Sequence, residues 1–438
     1  MDLESMRQNK NKVLLISHDF YPDQSPNTYR WFNVLKSWRK HNLELYVVTV
    51  LVNNLPQFEE LDGIKIFRVE NKILNTVKKN IANNEINSKQ SIFANPKELE
   101  NTSFIKKVYN LTWKKLYFPD FAFLWQKPAY KMAEQLITKH EIYNVITVSW
   151  PFSDHVVGAR LKENFDINWI ADTIDPFYLS SAVNNSALYK NINRIYEDKI
   201  LRNADYVTVL TDKLKKKYIE IYPSLAGKIV LNHNVFVPYE IPKTDLIFKG
   251  KATILVFVGT LSPITRSPEN LLLFFSTLLK LPANEGNLEL HLYGNLEPCS
   301  HDFIKYEHLI EKSLFLHSFT KREEIIKILQ DANAIINIGN NNVFQEPSKI
   351  VEYVYLKKKI INICTLDEDT AMEMLENYPL HLNLSKNDFN DNQKLVDALS
   401  FINNSDTVDD DLINSIIDKY LLTNVERKYF ELLNHDYE

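Results

Sequence analysis

Short apolar runs alternate with amphipathic stretches along the whole chain, and this alternation carries the fold. In the first half, Val13–Ile16, Leu43–Val50, Ile64–Val69, Val145–Val148, Trp169–Ala171 and Tyr206–Leu210 read as strands. Several are apolar at successive positions, as strands are when helices cover both faces of their sheet. Helical periodicity falls between them, over Thr28–Lys40, Pro128–His140, Phe152–Phe165, Leu188–Arg202 and Asp212–Tyr222. The second half repeats the grammar. Its strands are Thr253–Val258, Leu288–Tyr293, Leu314–His317, Ala334–Ile338, Ile360–Ile363 and His381–Leu384. Its helices are Pro268–Leu279, Lys321–Gln330, Ser348–Leu356, Asp367–Glu376 and Asn392–Asn404. Strand–helix alternation predicts an α/β fold with two doubly wound, Rossmann-like domains. Such sheets bind ligands at the carboxyl ends of their strands, so a cleft faced by both domains is the expected site.

The alternation is broken twice. Asn232 to Lys251 carries Pro238 and Pro242 among mixed polar residues. The domains therefore read as 1–235, a hinge at 236–250, and 251–408, with one long amphipathic helix from Asp410 to Leu433 in the tail 409–438. Residues 71–127 read as an insertion. Its first part, Asn71 to Glu100, is polar and rich in Asn and Lys. Over 104–118, Lys106, Lys107, Lys114 and Lys115 interleave with Phe104, Tyr109, Trp113, Tyr117 and Phe118. That mixture suits an interfacial membrane helix, and equally a helix that packs its aromatics and solvates its lysines.

Composition narrows the class. The 438 residues exceed one ordinary core, and 45% apolar with 24% charged residues is a globular balance. A net charge of −5 and a pI near 6.2 argue against a nucleic-acid partner. Two cysteines, Cys299 and Cys364, make no disulfide framework, which suits a cytoplasmic chain. The polar stretch Met1–Lys12 reads as no signal peptide, and no apolar run approaches the roughly 20 residues of a membrane span. The expected location is cytoplasmic, with peripheral contact at the inner membrane face through 104–118. The chain holds only 8 glycines, so a glycine in a motif position is seldom accidental.

Two helix starts in the second half could hold an anion. After the strand ending at Val258, Gly259 permits a sharp turn and close backbone approach, Thr260 follows, and Arg266 precedes the helix beginning near Pro268. A guanidinium there could grip a diphosphate; a plain loop with a solvated arginine fits as well. The second is Gln345 to Tyr353 (Gln-Glu-Pro-Ser-Lys-Ile-Val-Glu-Tyr). Pro347 suits the first turn, Ser348 can cap, and Lys349 opposes the helix dipole unless an anion offsets it. Glu352 shares a face with Ser348 and could accept both hydroxyls of a ribose, or simply pair with Lys349.

These residues resemble the donor-site motifs of family 4 glycosyltransferases. Ser149 to His155 (Ser-Trp-Pro-Phe-Ser-Asp-His) and Trp169 to Phe177 (Trp-Ile-Ala-Asp-Thr-Ile-Asp-Pro-Phe) are similar to a subgroup reading Ser-x-Pro-Pro-x-Ser-x-His, then Trp-Ile-x-Asp-Phe-Arg-Asp-Pro-Trp. Phe118-Pro-Asp with Trp125, and Phe20-Tyr-Pro-Asp with Tyr29 and Arg30, agree, so the matches cover nearly the whole chain in order. The resemblance implies the GT-B fold and a retaining, metal-independent transferase. It would move a sugar from a nucleotide diphosphate, a UDP-sugar ahead of a GDP-sugar, to a glycan or polyprenyl-linked acceptor in surface polysaccharide synthesis. No cofactor is implied. Arg266 and Lys349 would neutralise the leaving diphosphate. Glu352 would bind the ribose, with Ser318 and Phe319 near the base. The last helix would cross back to the first domain.

Three positions depart from the pattern: Phe344 stands where a first glutamate is common, Phe20 to Asn27 lacks a glycine pair, and Ile174 replaces an arginine. For acceptor chemistry the candidates are His155, Asp172 and Asp175, with His18 and Arg30 as lesser acceptor-side residues. His155 fits a hydrogen-bonded structural histidine equally well, and Asp175 fits a turn cap before Pro176. The competing functions are a non-catalytic scaffold of the same fold and a nucleotide-sugar epimerase. A nicotinamide dehydrogenase is disfavoured, because no Gly-x-Gly-x-x-Gly follows either first strand.

Overall fold

The computed structural model of the chain describes residues 11–23, 25–52, 54–70, 118–180, 183, 187–242, 247–248, 250, 252–282 and 288–433. Two compact units result: Met1–Val235 with Leu422–Glu438, and Phe236–Leu421. In the first unit an eight-stranded sheet comprises β1 (Lys12–Ile16), β2 (Glu44–Val50), β3 (Phe58–Leu61), β4 (Ile64–Val69), β5 (Asn144–Ser149), β6 (Asn168–Thr173), β7 (Tyr206–Val209) and β8 (Ile229–Leu231). Its order is β3-β4-β2-β1-β5-β6-β7-β8, parallel except where β3 runs antiparallel to β4. The apolar pattern did not predict β3. Its Phe-Glu-Glu-Leu lies on the sheet edge and stays partly solvated, so it has no need of an apolar run. The three-residue β8 was likewise too short to stand out.

Helices α1 (Pro26–Trp38), α2 (Gln126–His140), α3 (Ser153–Asn164), α4 (Ala187–Leu201) and α5 (Asp212–Ile221) flank this sheet. Ser25 starts α1 by accepting a hydrogen bond from the Thr28 amide at 3.2 Å, with Pro26 in the first turn. Gly158 lets α3 lie against the indole of Trp169, where any Cβ would come within 2.5 Å of the ring. The buried indole N–H in turn donates to Thr147 Oγ1 at 2.9 Å.

In the second unit β9 (Thr253–Val258), β10 (Leu288–Tyr293), β11 (Leu314–His317), β12 (Ala334–Ile338), β13 (Lys359–Ile363) and β14 (His381–Leu384) form a parallel sheet ordered β11-β10-β9-β12-β13-β14. Helices α6 (Glu269–Leu278), α7 (Arg322–Asp331), α8 (Lys349–Tyr355), α9 (Thr370–Leu375) and α10 (Asn392–Asn403) cover its faces, and a 3₁₀ stretch spans Glu297–Leu309. One core packs Leu255, Phe257, Leu271, Phe275 and Ile336 together; the other packs Ile254, Val256, Ile350, Val354 and Tyr378. Strand order reverses between β9 and β12, which opens the switch-point crevice at their carboxyl ends.

The single terminal helix expected over Asp410–Leu433 is two helices. In α11 (Asp410–Ile417), Ile413 and Ile417 join the core of the second unit, as does Tyr420 of the 3₁₀ turn that follows. In α12 (Leu422–Leu433), Val425, Tyr429, Leu432 and Leu433 are buried, and the helix belongs to the first unit. One continuous helix could not serve both cores, and it breaks where the Phe236 amide donates to the Tyr420 carbonyl at 2.7 Å. The segment expected to be a hinge from 236 thus begins with a buried Phe236 in the second unit.

Both cysteines are buried and free. Residues 71–117, with most of the basic and aromatic segment 104–118, lie outside the described residues. Among the described residues no helix is long and apolar enough to cross a membrane.

Candidate functional site

The switch-point crevice of the second unit gathers most of the side chains expected to bind a donor. Past β9 the chain turns at Gly259, whose amide donates to the Tyr293 carbonyl at 2.9 Å. Gly294, at φ +121°, accommodates this turn, since a Cβ there would lie 2.2 Å from the Gly259 carbonyl oxygen. Residues 262–266 close on themselves through paired backbone hydrogen bonds of 3.0 Å between Ser262 and Arg266. The loop is also tied to the end of β12, where the Asn341 amide donates to the Thr265 carbonyl at 2.9 Å.

Arg266 is fixed by this construction. Its Nη2 donates to Asn340 Oδ1 at 2.7 Å, while its buried Nε has no hydrogen-bond partner among the described residues. Burial lowers its pKa, opposed by Tyr353 and Asp369. Lys349 begins α8 and sends Nζ back to the Val258 carbonyl at 2.9 Å. Its pKa is lowered too, first because the ammonium is desolvated and then because Arg266 and, more weakly, Arg322 lie near, with the Glu352 carboxylate opposing the shift. Much of the lysine side chain still reaches solvent, which moderates that desolvation. Two cations therefore converge beyond β9, and neither forms an ion pair among the described residues, a setting that favours an anion.

Glu352 stands one turn further along α8. Its Oε1 accepts from the Tyr239 hydroxyl at 3.0 Å and from Arg322 Nη2 at 2.8 Å. The expected alternative, an ion pair with Lys349, is not formed; Arg322 takes that place. Ser348 makes no capping hydrogen bond with its side chain, and Thr260 is exposed. Ser318 and Phe319 follow β11 on the loop that leads into α7 and Arg322. Phe319 is 79% exposed. Beneath that loop the His317 ring stacks on Tyr293 at 4.1 Å.

Tyr239, Arg322 and Asn340 were missed from the sequence. The Asn340-Asn-Asn run after an apolar strand was a usable signal for the last, whereas Tyr239 in a linker gave none. Phe344 is half-buried where relatives of the resembled family commonly carry a glutamate.

The first unit overturns three expectations. His155 does not face a crevice. It is fully buried beneath the sheet, with Nδ1 2.7 Å from Thr147 Oγ1 and Nε2 3.2 Å from Thr173 Oγ1. Burial drives its pKa down to about 3, so the ring is neutral and structural. Asp172 is fully buried as well: Oδ2 accepts from Trp31 Nε1 at 2.8 Å, and Oδ1 from Thr208 Oγ1 and the Tyr429 hydroxyl at 2.6 Å each. Arg30 donates to that Tyr429 oxygen at 2.6 Å and to the Asn232 carbonyl at 3.2 Å, and it lies 3.8 Å from Asp172. Asp172 and Arg30 are therefore parts of a core network that docks α12. None of these three side chains is open to an acceptor.

At the carboxyl ends of β1 and β5 the structure places other groups. The His18 amide donates to Asp154 Oδ2 at 2.8 Å, and His18 Nδ1 lies 2.8 Å from Asp19 Oδ1. His18 Nε2 and Asp154 Oδ1 are buried without partners among the described residues, and burial raises the Asp154 pKa well above its usual range. Asp175, just past β6, is half-buried, and its carbonyl accepts from Ser149 Oγ at 3.0 Å.

His155 gives a pH prediction. Unfolded, the imidazole takes a proton below its ordinary 6.5; folded, it stays neutral to about 3. Stability present above pH 6.5 is therefore lost as pH falls through that window, with a slope approaching about 1.4 kcal/mol per pH unit, or about 2 kcal/mol by pH 5. His155→Gln is expected to flatten the dependence of the urea midpoint between pH 4 and 6.5. An unchanged slope in that variant would rule out this account.

No family model matches the chain, and no curated protein matches it significantly by sequence. Solved structures do match. Sucrose-phosphate synthase from Thermosynechococcus elongatus is 13% identical with a TM-score of 0.66, over 97% of this chain and 99% of that one. A glycosyltransferase from Rickettsia africae is 13% identical with a TM-score of 0.61, over 98% of both chains. Anabaena HepE in complex with UDP is 13% identical with a TM-score of 0.62, over 97% of this chain and 100% of that one. The fold of this chain is thus that of the GT-B glycosyltransferases, with two α/β units each built on a parallel sheet.

Proposed function

We propose that the chain is a retaining, metal-independent glycosyltransferase that takes a sugar from a nucleoside diphosphate held by the second unit. One observation carries the reading: Arg266, Lys349 and Glu352 are assembled around the β9–β12 switch point of that unit. In this scheme the bond from the sugar C1 to the diphosphate breaks, and the electron pair leaves with the diphosphate. Arg266 and Lys349 stabilise the charge that develops there, the role a divalent cation fills elsewhere. The acceptor hydroxyl forms the new bond to C1 and passes its proton to the departing phosphate oxygen. His155 and Asp172 supply no base, being sealed in the core, and same-face attack of this kind needs none. Glu352 takes the ribose and the 318–319 loop the base. UDP is the expected nucleotide, in line with the UDP bound to the similarly folded HepE. The acceptor is a glycan or polyprenyl-linked sugar in surface polysaccharide assembly, bound by the first unit at the inner membrane face.

The test is thermal unfolding with UDP, GDP, ADP and CMP, with and without EDTA. At a hundred times its Kd a ligand adds about 2.7 kcal/mol of stability, enough to raise Tm by several degrees. UDP is expected to do so with EDTA present, and Glu352→Ala to remove most of the shift. Phe344, apolar where a sugar-contacting carboxylate is common, favours a second reading, a scaffold of this fold without catalysis. No shift with any nucleotide would favour the scaffold; stabilisation that vanishes with EDTA would refute metal independence.

A further inference from the structure

Glu352 does not stand in the crevice as a free carboxylate. Both of its hydrogen bonds fall on one oxygen: the Tyr239 hydroxyl at 3.0 Å and Arg322 Nη2 at 2.8 Å reach Oε1. An oxygen of this kind offers two lone-pair sites, so two donors fill it. Oε2 accepts no hydrogen bond among the described residues and is not sealed from solvent. The two donors are themselves held. Tyr239 packs its ring on Phe236 and Tyr355, and its carbonyl accepts from the Tyr355 hydroxyl at 2.5 Å. The Arg322 guanidinium lies 5.7 Å from the centre of the Tyr239 ring, so the three groups brace one another.

A glutamate whose oxygens are both free turns easily about its last torsion and can chelate the two hydroxyls of a ribose, one per oxygen. A glutamate with one oxygen filled and its plane fixed cannot. We infer that Tyr239 and Arg322 are positioning residues that lock Glu352 with Oε2 alone presented, so that the ribose diol is not held one hydroxyl per oxygen and the hydroxyl better aligned with the fixed Oε2 dominates recognition. The inference deepens the donor-site reading and rests on it. It makes recognition of the ribose lopsided. One hydroxyl, bonded to a fixed anion, carries most of the sugar's contribution, and the other contributes little. Neither residue contacts the reacting atoms in this scheme; each acts through Glu352.

Titration calorimetry of the full chain with UDP, 2′-deoxy-UDP and 3′-deoxy-UDP decides it, with the GDP series in parallel. In the unaltered protein, removal of one hydroxyl is expected to weaken binding about tenfold or more, as loss of a charged hydrogen bond does, and removal of the other less than about twofold. In Tyr239→Phe and Arg322→Gln the carboxylate regains its torsion. The two deoxy analogues should then bind within about twofold of each other. A variant that merely loosened the unit would weaken all three ligands in proportion and leave the ratio standing, so a preserved ratio in both variants overturns the lock. Equal weights for the two hydroxyls in the unaltered protein overturn it as well. Failure of every nucleotide to bind, or an unchanged affinity in Glu352→Ala, would instead overturn the donor-site reading and the lock with it.

Discussion

Arg266→Ala is expected to slow release of UDP from a UDP-sugar by two to three orders of magnitude, with a smaller loss of UDP affinity. The size follows from removing one preorganised donor aimed at charge that forms as the diphosphate departs. Preorganisation is visible in the loop. The 262–266 turn, the tie from Asn341 to Thr265 and the hydrogen bond from Arg266 to Asn340 hold the guanidinium before any ligand arrives. Arg266→Lys keeps the charge and loses the fork that both holds Asn340 and spares donors for phosphate, so it should recover only part of the rate. Hydrolysis of the donor in the absence of an acceptor gives the readout, because it needs no knowledge of the acceptor. Activity of Arg266→Ala within threefold of the unaltered chain would remove Arg266 from the mechanism.

The second large effect is on stability. Asp172→Ala should destabilise the first unit by about 3–5 kcal/mol, the range seen when one partner of a buried charged network is removed. The deletion removes the charge facing Arg30, whose Nε and Nη1 already lack partners among the described residues, and takes the acceptor from the Trp31 indole and from the Thr208 and Tyr429 hydroxyls. Tyr429→Phe should cost less, about 1–2 kcal/mol, since it leaves the charges in place. The chain reports this cleanly: the five described tryptophans, at 31, 38, 125, 150 and 169, lie in the first unit, and residues 236–438 contain no tryptophan. Urea unfolding followed by tryptophan fluorescence therefore reads that unit alone. A midpoint for Asp172→Ala equal to that of the unaltered chain would mean that the network does not hold the unit together. Loss of activity without loss of stability would restore Asp172 as a site residue.

These two cases also show what sequence could and could not disclose. Alternation of apolar and amphipathic segments was legible because covered parallel strands leave no polar face, and Val13–Ile16 or Thr253–Val258 announce themselves. The placing of Arg266, Lys349 and Glu352 at the carboxyl end of the second sheet was legible because each lies between a strand end and the first turn of a helix. His155 and Asp172 looked the same on paper and proved structural. An acidic or imidazole side chain next to a buried strand can point along the sheet end or into its covering layer, and periodicity does not say which. Thr147 and Thr173 decide it for His155, as Trp31 and Tyr429 do for Asp172. The clamp on Glu352 was out of reach for another reason. Arg322 and Tyr239 lie 30 and 113 residues away in sequence, and only folding brings them to one oxygen.

The return of α12 to the first unit has a consequence for how the protein is made. Residues 422–433 leave the ribosome only after the whole second unit, yet Tyr429 satisfies a carboxylate sealed in a sheet synthesised long before. Domains of a nascent chain ordinarily settle in order, the amino-terminal one first. Here that order is closed off. Until α12 arrives the network of Asp172 and Arg30 lacks Tyr429, and the whole second unit is translated within that interval. Emergence of α12 behind the second unit, and not emergence of residues 1–235, is thus the event that seals the amino-terminal core.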